Sequence, residues 1–197
     1  AGAYTLTNAT NNVGTIAAAT GAGVIKYVDA DALAVGTVNT VGITRTGDVL
    51  LNNQTGDLTL TQNVAIGANT LRLESVAGKV DQTGGTITAG TLGVNAGTSI
   101  SLASNNAVAT TFAAKATNGD VLFKNANGYD INTVAADGTI FTLANGVTAV
   151  AAGKNITLDS GGAVTQTAGK DVTATATGGL ELKGAGAYTL TNATNNV

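Results

Sequence analysis

Apolar side chains recur two residues apart through most of this chain. Tyr4-Thr5-Leu6-Thr7, Val24-Ile25-Lys26-Tyr27, Leu58-Thr59-Leu60-Thr61 and Leu71-Arg72-Leu73-Glu74 show the pattern early. Ile100-Ser101-Leu102, Val121-Leu122-Phe123-Lys124, Ile156-Thr157-Leu158-Asp159 and Leu180-Glu181-Leu182-Lys183 repeat it later. A period of two is that of a strand with one buried face. Gly, Asn and Asp break the pattern at Thr46-Gly47-Asp48, Thr55-Gly56-Asp57, Asn118-Gly119-Asp120 and Asn127-Gly128, which read as turns. A loose count gives about 24 strand-like segments, an all-β chain. The Ala-rich stretches Val13–Thr20 and Asn106–Thr117 are the exceptions, each with room for a helical turn. The alternation assigns sides. Lys26, Arg72, Asp130 and Glu181 should point outward. Leu6, Leu73, Leu102, Ile131, Leu158 and Leu182 should be buried.

The chain also repeats. Residues 1–13, AGAYTLTNATNNV, return unchanged at 185–197, an offset of 184. Thirteen consecutive matches are not a product of composition. The simplest reading is a tandem array in which residues 1–184 are one unit and 185–197 open the next. With no initiator Met, the chain is expected to be cut from something longer. A fainter repeat divides the unit into halves near 1–96 and 97–184. Shifted by 96, Leu6 falls on Leu102, Tyr27 on Phe123, Val35 on Ile131 and Thr37-Val38 on Thr133-Val134. Val80-Asp81-Gln82-Thr83 also resembles Val164-Thr165-Gln166-Thr167.

Short strands in series restrict the fold. A sandwich core wants large residues on two facing sheets. A propeller closes after a set number of blades. A parallel β-helix continues without limit, each coil of about three short strands stacking on the last. Composition favours the third. The chain holds 35 Ala, 34 Thr, 27 Gly and 20 Asn, and no Pro, Cys, Met, Trp or His. A narrow interior accepts Val, Leu, Ile, Ala and Thr. Gly and Asn suit tight corners, and a missing Pro costs the ladder no donor. A unit would then hold eight or nine coils and rise ~40 Å at the usual strand spacing.

The strings GDLTLTQNVAIGANTLRLESVAGKVDQTGGTITAGTL and GGLELKGAGAYTLTNATNNVGTIAAAT resemble repeat regions of filamentous-haemagglutinin-like exoproteins. These are large bacterial surface proteins secreted by a two-partner route. The resemblance covers nearly the whole chain and rests on the T-G-D-L-T-L and V-x-Q-T words. It implies a right-handed parallel β-helix, export to the cell surface, and service as an adhesin, a biofilm factor or a stalk.

Candidate chemistry is sparse. The net charge is −3, which is no footprint for nucleic acid, and no apolar run approaches a membrane helix. Without Cys there are no disulfides or thiolate metal sites. Carbohydrate-active β-helices need clustered carboxylates with Arg, Lys or His to hold substrate. This chain has ten scattered Asp, two Glu, two Arg and no His. Asp29-x-Asp31 is the close pair, and a solvated turn is its ordinary reading. The Thr-x-Thr words lack the fixed spacing of a flat ligand face. Asn8-Ala9-Thr10, Asn53-Gln54-Thr55 and Asn155-Ile156-Thr157 match the glycosylation pattern at a frequency this composition explains. Gly84-Gly85 and Gly161-Gly162 read as corners. Tyr4, Tyr27, Phe123 and Tyr129 lie on the apolar parity, so inward stacking outweighs a sugar platform.

The reading is therefore a structural repeat of an extracellular filament or stalk. It has no catalytic, cofactor or metal residues and a polar, uncharged outer face. Expected partners are adjacent repeats stacked end to end, then neighbouring filaments and surface glycans or cell surfaces, with no nucleic acid and no membrane insertion. The alternatives are an adhesin face specific for a receptor or glycan and, from another class, a carbohydrate-active enzyme.

Overall fold

The structure is a computed structural model that describes residues 2–197. The described residues form 21 strands and no helix. Strands pair in parallel throughout, save the short pair Thr133–Val134 and Ala144–Asn145. One column of paired residues runs Tyr4, Ile25, Val49, Leu71, Leu92, Phe112, Ile131, Gln166. Beside it run Leu6, Tyr27, Leu51, Leu73, Val94, Ala114, Val147 and Val172. A second face stacks Leu33, Leu58, Val80, Ile100, Val121, Ile156 and Leu180. A third, shorter face stacks Ile43, Val64 and Ile87. The molecule is a parallel β-helix of about eight turns.

Alternation dictates this arrangement. In Val121–Asn125 and Ile156–Ser160 every second residue is buried and those between are half-exposed. Each interior Val, Leu or Ile contributes about 1.5–3 kcal/mol on leaving water. Phe112 on the first face and Phe123 on the second, half a coil later, stack with centroids 3.9 Å apart, and Tyr129 meets both edge-on. The rings fill the core where the third face gives out above Val108. There Asn125 takes over the ladder, its Oδ1 accepting from Val108 N and its Nδ2 donating to Val108 O. Gly85 marks a corner. Its φ is +63°, and a side chain would meet the backbone of Gln62 and Asn63 one coil below.

The expected sides hold for most of the assigned residues. Leu73, Leu102, Ile131 and Leu158 are fully buried. Lys26, Arg72 and Asp130 alternate with buried neighbours and face out, and Glu181 is exposed. Leu6 and Leu182 are corrections, at 53% and 43% exposed. Both lie in the stacks, on Tyr27 and Leu158, but no described coil covers their other side. Tyr4, also 53% exposed, is a correction for the same reason. The helical turn considered for Asn106–Thr117 is instead part of the longest strand, Ile100–Ala116. Val13–Thr20 holds the strand Thr15–Ile16 and a parallel bridge from Ala18 to Ile43. Stacking on a coil outweighs the helical preference of Ala.

Residues 132–146 were not separated from the coil by their pattern. Ile131 sits on Phe112 and Val147 on Ala114, so everything between them leaves the coil at the place of one residue. Val121 consequently finds its partner, Ile156, 35 residues later, where other coils take 19 to 25. The excursion folds back along the outside of the first face. Val134, Phe141 and Ala144 form a second apolar cluster with Leu50 and Ala113. Lys26 pairs with Asp137 at 2.7 Å, Arg72 Nε donates to Ala135 O at 3.1 Å, and Asn52 Nδ2 to Ile140 O at 2.9 Å. The excursion thus spans from the later coils back to the strand Ile25–Asp29. Gly93 makes room, because a Cβ there would come within 2.9 Å of Val134 and Phe141. The outer face is therefore not uniformly polar and uncharged. Part of it is apolar and covered, and part carries Lys79 with Asp81 at 2.8 Å and Lys124 with Asp159 at 3.4 Å.

Candidate functional site

The polar side chains of this molecule mostly join one coil to the next. In the Gly-Asp turn words, the carboxylate accepts a backbone N–H one coil on. Asp48 Oδ1 takes Thr70 N at 2.9 Å, Asp57 Oδ1 takes Lys79 N at 3.0 Å, and Asp120 Oδ1 takes Asn155 N at 2.8 Å. Asn63 and Asn155 do the same for Thr86 and Gly179. Each bond satisfies a donor at a corner where the ladder is interrupted. The turn words were legible in the sequence, but this second role was not.

A more specific device is a buried amide clasp. Gln82 ends its strand facing inward, and Asn106 stands one coil above. Gln82 Nε2 donates to Asn106 Oδ1 at 2.9 Å, and Asn106 Nδ2 donates back to Gln82 Oε1 at 3.1 Å. The same Asn106 oxygen accepts Ile87 N at 2.8 Å. The pattern recurs at the far end of the chain. Gln166 Nε2 donates to Asn195 Oδ1 at 2.6 Å, and Asn195 Nδ2 returns to Gln166 Oε1 at 3.1 Å. Asn195 Oδ1 accepts Val172 N at 2.8 Å. The Gln of both V-x-Q-T words thus anchors a clasp to the coil above.

The second clasp seats the repeated word. Residues 185–197 lie on the preceding coil, with bridges from Tyr188 to Val164 and from Asn196 to Thr173. The Tyr188 hydroxyl lies 2.7 and 2.6 Å from the carbonyl oxygens of Leu158 and Lys183, and its one proton is shared between them. Thr194 and Asn192 both donate to Asp171 Oδ1. The word has the same local shape in both copies. Asn11 N donates to Asn8 O at 3.1 Å, as Asn195 N does to Asn192 O. Asn11 Nδ2 donates to Leu6 O at 3.1 Å, as Asn195 Nδ2 does to Leu190 O at 3.3 Å.

At the opposite end, the first coil leaves an apolar recess of about 430 Å³ lined by Tyr4, Leu6, Ile16, Ala18, Ile25 and Tyr27. Arg45 borders it, only 6% exposed, its guanidinium donating to the carbonyls of Ala22 and Gly23 and lying 5.5 Å from the Tyr4 ring centre.

The other residues weighed from sequence serve the turns and ladders. Asp29 is buried, and its carboxylate accepts the Tyr27 hydroxyl at 2.6 Å, Val13 N at 3.0 Å and Asp31 N at 3.3 Å. Asp31 faces solvent and accepts from Asn12. The two carboxylates do not converge on one site. Burial raises the Tyr27 phenol above its ordinary pKa, and the neighbouring Asp29 adds to the shift. Burial likewise raises Tyr129, whose hydroxyl lacks a hydrogen-bond partner. Asn53 is buried and holds the carbonyls of Thr55 and Gly56, while Asn8 caps its own turn through Thr10. Thr59 stacks between Ala34 and Asp81, not in a threonine ladder. No family model, curated protein or solved structure matches the chain.

Proposed function

We propose that this chain is a structural repeat of an extracellular bacterial filament or stalk, whose work is reach, rigidity and surface attachment. The observation that carries the reading is the seating of residues 185–197. A segment identical to the start of the unit lies on the unit's last coils in ladder register, fixed by a clasp used also in the interior. The paired column from Tyr4 reaches Gln166 on the same face that receives the second copy of the word. Tyr188 sits on Val164, two residues before Gln166 on the same strand, so a unit comes within two residues of a whole number of turns, about eight, and each copy of the word meets the same face. Continuous inter-coil hydrogen bonds and an aliphatic core make such a rod stiff without disulfides. Export to the cell surface rests on the resemblance to filamentous-haemagglutinin-like exoproteins. Weak multivalent contact with glycans or neighbouring filaments would follow from many copies in line.

Electron microscopy of chains carrying one, two and three tandem units tests the mechanical reading. The expected result is an unbranched rod that lengthens by ~38 Å per unit at the usual strand spacing. Beads on a flexible string would overturn it. The adhesin alternative draws on the excursion at 132–146, which presents a non-repetitive surface outside the coil. Binding of one glycan on an array, lost when that excursion is replaced by a short turn, would favour it.

A further inference from the structure

The corner that follows the first face carries a gap. Ser75, Ala96, Ala116 and Ala149 stack in the ladder, so the residues after them, Val76, Gly97, Thr117 and Val150, form a row along the rod. Gly97 alone in this row has no side chain. A Cβ there would strike the carbonyl oxygen of Val76 and the backbone of Ala77, so the gap is obligatory. It opens a cleft of about 90 Å³, lined by the polar column Glu74, Asn95 and Lys115 and by Val76, Thr117 and Thr142 of the excursion. Glu74 is only 7% exposed, and among the described residues no Lys or Arg pairs with it. Its Oε2 accepts Thr142 N at 2.7 Å, whereas its Oε1 has only the Thr142 hydroxyl, at 3.3 Å. Asn95 Nδ2 donates to Thr142 O and Oγ1 at 2.9 Å, and its buried Oδ1 has no partner. Lys115 is exposed, and among the described residues no carboxylate pairs with it. The column thus has an acceptor end and a donor end, neither of them neutralised.

We propose that this cleft binds one edge of a neutral sugar residue. The inference rests on the surface-attachment part of the proposed function and gives it a location. A ring hydroxyl donates to Glu74 Oε1, another accepts from Lys115 Nζ, and the hydroxyls of Thr117 and Thr142 lie beside them. The C–H side of the ring meets Val76, which is 50% exposed. Charge decides the ligand class. A cation is opposed by Lys115 and an anion by the buried Glu74, and like charges in contact are costly. A neutral polyol donates at one end, accepts at the other and meets neither penalty. Size decides how much of it enters. The cleft has room for a few oxygen-sized groups, the edge of a ring and not a whole oligosaccharide. Affinity at one site is therefore weak, and a rod that repeats the site once per unit gains it by multivalency.

Amide NMR of the isotope-labelled full chain, titrated with methyl glucoside, methyl galactoside and methyl mannoside, tests the site. The expected result is saturable shifts at the amides of Gly97, Thr117 and Thr142 and at the side chain of Asn95. Glucuronic acid and glucosamine, the charged counterparts, should each bind about tenfold more weakly than the neutral sugar. Two variants then move the selectivity. Glu74→Gln keeps an acceptor for Thr142 N but removes the charge, so glucuronic acid should regain about tenfold. Lys115→Gln should do the same for glucosamine. A purely structural role for either residue would leave the selectivity where it was. No shifts at the cleft with any of the three glycosides, the result if it holds water only, would overturn the proposal. Charged and neutral sugars binding alike would also overturn it. Tandem units that still lengthen as rods in either case would leave the filament reading standing.

Discussion

At the scale of the residue, buried amides do the specifying. Asn106 and Asn125, both buried, and the half-buried Asn195 each place an oxygen on a backbone N–H of the neighbouring coil. Leu or Ala at these positions would keep the apolar count but orphan the donors, at about 1–3 kcal/mol for each buried group. Asn106→Ala should therefore lower stability by about 2 kcal/mol or more in urea or thermal unfolding. Asn8→Ala, at an exposed turn, should change it by no more than about 1 kcal/mol. Tyrosines supply the pH dependence. Tyr27 and Tyr129 hold their protons above the ordinary phenol value, whereas the unfolded chain releases them near pH ~10. Above that pH the unfolded state binds fewer protons than the folded one, so stability present below pH ~10 falls as pH rises past it. Phenolate absorbance and loss of β circular dichroism should rise together in that range. Phenolate absorbance from all four tyrosines at pH ~10 with the fold intact would contradict this.

At the scale of the element, the excursion at 132–146 is the part that the alternation could not disclose. Its apolar residues, Val134, Phe141 and Ala144, read locally as another strand–turn piece. Their target is the outer side of the first face, where Leu50, Gly93 and Ala113 interrupt the polar positions. Leu50 sits in Val49–Asn53, all five residues of which are buried, so this strand is covered on both sides. Gly93→Val should displace the excursion without unwinding the coil, because the ladder at 93 depends on backbone alone. The expected outcome is faster proteolysis within 133–145, with unchanged β circular dichroism. Phe141→Ala should act similarly, with a loss of about 3–5 kcal/mol confined to the outer cluster. A global loss of cooperativity in either variant would show that the excursion is integral to the coil.

At the scale of the whole molecule, the relevant number is the count of turns per unit. A fractional count would carry successive units onto different faces. The column from Tyr4 ends on Gln166, two residues from the Val164 that carries Tyr188, so the count is whole to within two residues and loops of adjacent units would fall on nearly the same side of the rod. A two-unit chain should accordingly show the proteolytic site of the excursion twice along the rod's length, at equal rates. Unequal rates would mean that stacking one unit on another changes its covering.

The sequence by itself determined the period-two alternation, the turn words and the thirteen-residue recurrence, and these suffice for strands, corners and continuation. They are local signals, set by the pleat and by which residues bend. It also placed Leu73, Leu102, Ile131 and Leu158 inside, since parity fixes side once one face is buried. Which parity positions end up bare was decided by neighbours in space. Leu6 and Leu182 have inward parity, yet lack a second coil to cover them. Only the tertiary structure paired Gln82 with Asn106 and Gln166 with Asn195, or brought Asp137 to Lys26 across 111 residues. Coil lengths that vary from 19 to 35 residues erase any fixed spacing, so such partners leave no periodic trace for a reader of one sequence.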